Sequence, residues 1–204
     1  MPARRVASPD PEPRRPISDP LAIRALAHPT RLTLLEILLG EGHATATRCA
    51  ELSGHSVASC SFHLRTLARH GFIEAVPAPG RAKPWRLTSM RQELRRDPSD
   101  PESAAASSAF DEFFLGHEFA RLRAWWTGPA QQAAEAEWRD ASVLSGGTGW
   151  LTLAELRELS DELGGLVERF FLSRDNATTQ RPDGSRPVRL FLGSSVGLFP
   201  GEPG

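Results

Sequence analysis

The segment Ser56-Val57-Ala58-Ser59-Cys60-Ser61-Phe62-His63-Leu64-Arg65-Thr66-Leu67-Ala68-Arg69-His70-Gly71-Phe72-Ile73 decides how the rest of the chain is read. At 100° per residue, Val57, Cys60, Leu64, Leu67 and Ala68 fall on one apolar stripe suited to a core. Ala58, Ser59, Phe62, Arg65, Thr66 and Arg69 gather on the opposite face. Ser56 carries an oxygen that can cap the first turn, and Gly71 suits the left-handed turn that ends a helix. The pattern predicts one helix, buried on one side and decorated on the other, running into a strand. Its outward groups are hydroxyls, guanidinium groups and an aromatic ring. Such groups read base edges in the major groove: Arg on guanine, Ser or Thr on either partner, an apolar ring on the thymine methyl.

The flanking segments fit this helix. Asp19-Pro20 is a cap followed by proline at the first helical position, predicting a short helix to about Ala27. Pro29 starts a second helix whose apolar side holds Leu32, Leu35, Ile37, Leu38 and Leu39, with Gly40 and Gly42 to stop it. Thr45 or Thr47 caps a third, with Cys49, Ala50 and Leu52 directed inward. Ser53-Gly54-His55 is a tight turn into the decorated helix, completing a helix-turn-helix pattern. Beyond Gly71, Phe72 to Val76 and Pro84 to Thr88 read as strands. Pro77 to Lys83 joins them as a hairpin, a wing tipped by Arg81 and Lys83.

With these residues in view, the chain over about 19–90 resembles the ArsR-type winged helix-turn-helix regulators. Ala27-His28-Pro29-Thr30-Arg31-Leu32 is similar to that family's opening signature. Ser61 to Leu67 with Gly71-Phe72-Ile73 is similar to its recognition helix and following strand, and Pro84-Trp85-Arg86-Leu87 stands where it has the second wing strand. The resemblance implies a homodimer on a palindromic operator, a repressor that leaves double-stranded DNA when a signal arrives. The residues expected to meet DNA are Ser56, Ala58, Ser59, Phe62, His63, Arg65, Thr66 and Arg69, with Arg81 and Lys83 on the wing. Metal-sensing relatives use closely spaced cysteines before the recognition helix or an Asp, His and Glu cluster on a C-terminal helix. This chain has only Cys49 and Cys60, both predicted to face the core, and the isolated pair His117-Glu118. The expectation is therefore no metal and no cofactor.

Charge follows the same division. Residues 18–96 hold eleven basic and six acidic side chains, whereas 97–204 hold nine basic and seventeen acidic. The basic half is the one with the DNA-facing pattern, as phosphate contact requires. Residues 1–17, with five prolines, Arg4-Arg5 and Arg14-Arg15, read either as a disordered tail or as an arm for the minor groove. Two cysteines without a pairing pattern suit a reducing cytoplasm. No apolar run approaches the roughly 20 residues that span a bilayer, and no signal-peptide pattern stands at the start, so no membrane partner is expected.

The expected architecture is α+β and mainly helical: a tail at 1–17, a winged helix-turn-helix at 18–96, a linker at 97–109, and a small α+β domain at 110–204. In that last domain Phe110 to Trp126 reads as a helix with two apolar stripes, one of Phe110, Phe113, Phe114 and His117, the other of Leu115, Phe119, Leu122 and Trp126. Ala141 to Leu151 reads as two brief strands, and Val188 to Leu192 as another, with Val196 to Phe199 a further candidate. Thr152-Leu153-Ala154-Glu155 is a capping box for a helix with Leu156, Leu159, Leu163, Leu166, Val167 and Phe170 on its core stripe. The layout resembles the companion domain of many actinobacterial helix-turn-helix proteins, and implies dimerisation. Phe114, Trp125, Trp126, Trp138 and Trp150 either form core and interface or line a site for a small apolar effector. The chain shows no phosphate loop, nucleophile elbow or paired carboxylates, so no enzyme is expected. The alternative function is a winged-helix protein-protein interaction module without specific DNA binding, which the basic charge of Arg65, Arg69, Arg81 and Lys83 opposes.

Overall fold

Asp19 opens the first helix as its sequence predicts: its carboxylate accepts from the Leu21 N–H at 3.0 Å, and Pro20 takes the first helical position. The computed structural model describes residues 15–78, 83–89, 92–94, 99–172 and 181–197. These fall in two compact units, one running to Ala120 and the other beginning at Arg121.

In the first unit the helices are α1 (Pro20–Leu26), α2 (Pro29–Glu41), α3 (Ala46–Ser53) and α4 (Val57–Arg69). Thr45, rather than Thr47, caps α3, and Ser56 caps α4 through Oγ, which accepts from the Ser59 N–H at 3.1 Å. The second helix runs past Gly40 and stops at Gly42. Gly71 has φ of 75°, a conformation side chains with a Cβ resist, and it turns the chain out of α4 into β2 (Ile73–Ala75). β2 pairs antiparallel with β3 (Trp85–Leu87) in the register Ile73↔Leu87, Glu74↔Arg86, Ala75↔Trp85, the hairpin the sequence predicts. The wing tip, with Arg81, lies outside the described residues.

The core of this unit gathers Ile23, Leu34, Leu38, Cys49, Cys60, Leu64, Leu67, Phe72 and Ile73, from α1, α2, α3, α4 and the start of the hairpin. Each fully buried leucine contributes about 1.5–3 kcal/mol relative to an exposed one. Three expectations are corrected here. Val57 and Leu52, placed inward by periodicity, are exposed, because each lies at a helix end beyond the neighbours that would cover it. Leu39 also faces outward, while Leu34, absent from the expected stripe, is fully buried. α2 is covered by α3, α4 and β3, so its apolar arc is wider than one periodic face.

Two further corrections concern the ends of the unit. Residues 15–17, read as tail, form β1 (Arg15–Ile17), which pairs parallel with β4 (Gln92–Leu94). The tail before them lies outside the described residues. The run read as a linker at 97–109 instead supplies the start of α5 (Pro101–Thr127), with Asp100 accepting from the Glu102 N–H at 2.9 Å. Ser103, Ala106 and Ser107 are buried, and the Ser103 hydroxyl donates to the Ser18 carbonyl at 2.9 Å. Small residues let the helix approach closely. Phe110 is buried farther along, stacked on Phe114 at 5.6 Å, with Phe113 packed on the same core.

The second unit contains the end of α5, then α6 (Pro129–Ala133), α7 (Ala136–Asp140), α8 (Leu153–Val167) and a π-helical turn, Glu168–Leu172. α5 ends before Gly128, where a Cβ would collide with the Ala124 carbonyl oxygen. α8 begins with the expected capping box, Thr152 Oγ1 accepting from the Glu155 N–H and the Glu155 carboxylate from the Thr152 N–H at 2.7 Å. The strands expected in 141–151 and 188–192 do not form. Extended backbone becomes a strand only when another strand takes its hydrogen bonds, and among the described residues none does so for these segments. Val188 and Leu190 accordingly stay exposed. The described residues are mainly helical, with a helix-turn-helix in the first unit.

Candidate nucleic-acid interface

α4 is held by α1, α2 and α3 on one side and presents the other side outward. Cys60, Leu64 and Leu67 are fully buried, which fixes the rotation of the helix. That rotation leaves Ser56, Ala58, Phe62, Arg65 and Arg69 exposed, five of the eight positions expected on this helix. Among the described residues neither Arg65 nor Arg69 enters an ion pair, so both guanidinium groups keep all their donors available. Phe62 is 59% exposed, and its ring edge meets His63 with centroids 5.2 Å apart.

The other three positions are half-buried, and each is partly committed within the protein. The Ser59 backbone N–H is used in the cap of its own helix. The Thr66 hydroxyl donates to the Phe62 carbonyl at 3.1 Å, leaving its lone pairs to accept. His63 turns towards α2, its ring 4.4 Å from that of His28. On the wing, Lys83 is exposed. Its neighbour Arg86 is bound across the hairpin to Glu74 at 2.7 Å. The exposed surface of α4 thus offers two unpaired cations, small residues and an aromatic ring on a rigid helix.

Cys49 and Cys60 are both fully buried, in the core position the sequence predicts. Burial, then Cys60 and Glu41, pushes the Cys49 thiol up to about 11, which keeps it protonated and unreactive near neutrality. His117 stacks on Phe113 at 6.1 Å, one turn away on the same helix. The five candidate ligand residues are divided. Phe114 packs on the core of the first unit, whereas Trp125, Trp126, Trp138 and Trp150 belong to the second. Trp138 lies under the Arg186 guanidinium at 5.0 Å, and Trp150 is 76% exposed.

A group the sequence reading passed over lies beside α4. His28, Thr30, Arg31 and His55 surround His63; the first three stand in the segment Ala27 to Leu32, read only as a family likeness, and His55 in the segment Ser53 to His55, read only as a turn. His28 caps α2 with its ring, Nδ1 accepting from the Thr30 N–H at 3.2 Å.

With this geometry in hand the chain can be compared with known proteins. Residues 26–76 match a helix-turn-helix domain family. The matched stretch takes in α2, α3, α4 and β2, and the helix-turn-helix domain supports a DNA-binding transcription regulator. No curated protein matches the chain. Among solved structures, a possible transcriptional regulator for arsenical resistance is 27% identical, with 56% of this chain and 97% of that one covered at a TM-score of 0.31. Reduced HlyU from Vibrio cholerae is 18% identical, covering 45% of this chain and 79% of its own at 0.31. YusO from Bacillus subtilis is 14% identical, with 73% and 83% covered at 0.32. At these scores the likenesses add nothing to the helix-turn-helix match. Among the described residues no helix is long and apolar enough to cross a membrane.

Proposed function

We propose that the protein is a sequence-specific transcription regulator of the ArsR type, a homodimer that represses from a palindromic operator and leaves it when a small apolar effector binds. The observation that carries this reading is the face of α4: a capped, core-anchored helix that keeps Arg65 and Arg69 unpaired beside exposed Ala58 and Phe62. Two such helices, one per protomer, would enter successive major grooves roughly 34 Å apart. Arg65 and Arg69 contact guanine or phosphate, Phe62 packs on a thymine methyl, and Ser56, Ser59, His63 and Thr66 meet backbone or bases. Arg81 and Lys83 hold flanking phosphates.

Leu115 and Phe119, 42% and 59% exposed on α5, support a second copy as partner. The support for an effector is the half-buried indoles of Trp125, Trp126 and Trp138 in the second unit. Such a ligand acts only by binding the DNA-releasing conformer more tightly. Fluorescence-polarisation titration against a duplex from the gene's own upstream region, beside a scrambled duplex and at two salt concentrations, tests the reading. A preference of about 1000-fold is expected of a specific binder. Equal, steeply salt-dependent binding to both duplexes would mean phosphate attraction alone and would favour the protein-interaction module.

A further inference from the structure

Where the N-terminus of α2 meets α4, three imidazoles and a guanidinium converge. His28 Nδ1 accepts from the Thr30 N–H at 3.2 Å, so the neutral ring carries its proton on Nε2. The His63 ring, on α4, lies 4.4 Å from it, tilted by 42°. His55, in the turn leading into α4, places Nε2 3.4 Å from the Thr30 hydroxyl. Contacts therefore run from the cap of α2 both to the turn before α4 and to its middle. Nδ1 of His63 and Nε of Arg31 are buried without a hydrogen-bond partner among the described residues.

We propose that His28 is a positioning residue for the recognition helix, and that its contact with His63 makes specific DNA binding depend on proton concentration. The inference rests on the regulator reading above. A His28 protonated at Nδ1 cannot accept from the Thr30 N–H. It also adds positive charge at the positive end of the α2 dipole, against His63 and Arg31. Every influence on the two rings disfavours protonation. For His28 burial is foremost, then Arg31 and His55; for His63 it is burial, then His28, Arg31 and His55. Both rings therefore titrate below the usual imidazole range. The charged groups on the other elements packed on α4 are engaged elsewhere. Arg24 of α1 pairs with Glu102, Arg48 of α3 with Glu41 and Glu51, and Glu74 of β2 with Arg86. On acidification the α2–α4 seat loosens and α4 loses its fixed orientation. Phosphate attraction needs only charge and survives; base readout needs orientation and does not.

His28→Asn separates the roles, because asparagine is a strong helix cap but does not titrate. Full-length wild type and H28N are titrated with the upstream and scrambled duplexes from pH 8 to 5.5. The His63 ring is followed by NMR in both proteins without DNA, and melting at pH 8 verifies that H28N folds. In wild type the ratio of upstream to scrambled affinity should fall about fivefold or more, since each linked proton changes affinity up to tenfold per pH unit. In H28N that fall should be clearly smaller than in wild type, and the His63 titration should move up towards the ordinary range. A wild-type ratio that holds or rises on acidification overturns the proposal, as does a wild-type profile retained by H28N. No preference at any pH in wild type would instead overturn the regulator reading. The His63 titration, which needs no DNA, would then decide the His28–His63 contact by itself.

Discussion

Helices α4 and α8 each begin at a hydroxyl residue that caps the first turn, Ser56 in one and Thr152 in the other, and each carries an apolar stripe at helical spacing. In α4 the stripe is covered: Cys60, Leu64 and Leu67 are fully buried. In α8 no residue is buried, and Leu159 and Leu166 remain 38% and 40% exposed. Their polar faces are opposite in sign, with Arg65 and Arg69 on α4 and Glu155, Glu158, Asp161 and Glu162 on α8. An amphipathic pattern says that a face favours cover; it does not say that the fold supplies it. Charge then sorts the two surfaces, since the acidic face of α8 is repelled by phosphate and the basic face of α4 is drawn to it.

The contrast can be broken at either helix. The largest expected effect is on binding: Arg65→Ala with Arg69→Ala should weaken the upstream duplex at least about 30-fold, as bidentate base contacts contribute about 1–3 kcal/mol each. Sedimentation and melting should be unchanged, and unaltered affinity would remove the DNA face from α4. Next is packing. Leu64→Ala should destabilise the first unit by about 2–5 kcal/mol in urea unfolding, as filled core sites do. Leu159→Ala should remove less than about 1 kcal/mol, because much of its surface is already in water. Equal losses would mean that the α8 stripe is covered in solution.

Acid should also separate the two regions. His28 and His63 titrate lower in the fold than the ordinary imidazole value of about 6.5. The unfolded chain then binds more protons, so their contribution is complete above about 6.5 and is lost as pH falls from there towards the folded values. Between pH 7.5 and 5.5 the amide protection factors around α2 and α4 should fall, once the slower intrinsic exchange at lower pH is divided out. Around α8 they should stay level. There the Thr152 N–H and hydroxyl hold the Glu155 carboxylate below its usual range, so that contribution persists above the ordinary carboxylate pKa and fades only as pH falls through the lower folded value. The smallest effect is Thr152→Ala, expected to speed exchange in the first turn of α8 about fivefold through loss of the cap.

Much of the helical framework was legible because its signals are local. Asp19, Ser56 and Thr152 bond N–H groups two or three residues away, so the caps can be read without knowing the fold. Arg65 and Arg69 were legible because they stand opposite a consistent apolar stripe. Ser59, His63 and Thr66 were placed on the right helix, but their half-burial depends on neighbours and on their own back-bonds. His28 was missed as a cap because imidazole is not among the common capping side chains. The strands at 141–151 and 188–192 were expected from composition, which carries no information on whether a partner strand arrives.

The sequence by itself determined the starts of the capped helices, the two faces of α4 and the separation of basic from acidic charge. Each of these follows from groups within about a turn of one another or from simple counting. Tertiary structure alone decided that the Ser/Ala run is the packed start of α5, that the stripe of α4 is covered while that of α8 is not, and that His28 meets His63. Those outcomes depend on surfaces far apart in the chain; Ser103 reaches the carbonyl of Ser18 across 85 residues. No periodicity encodes such a meeting, because it is the closing of the whole core that brings the two groups within bonding distance.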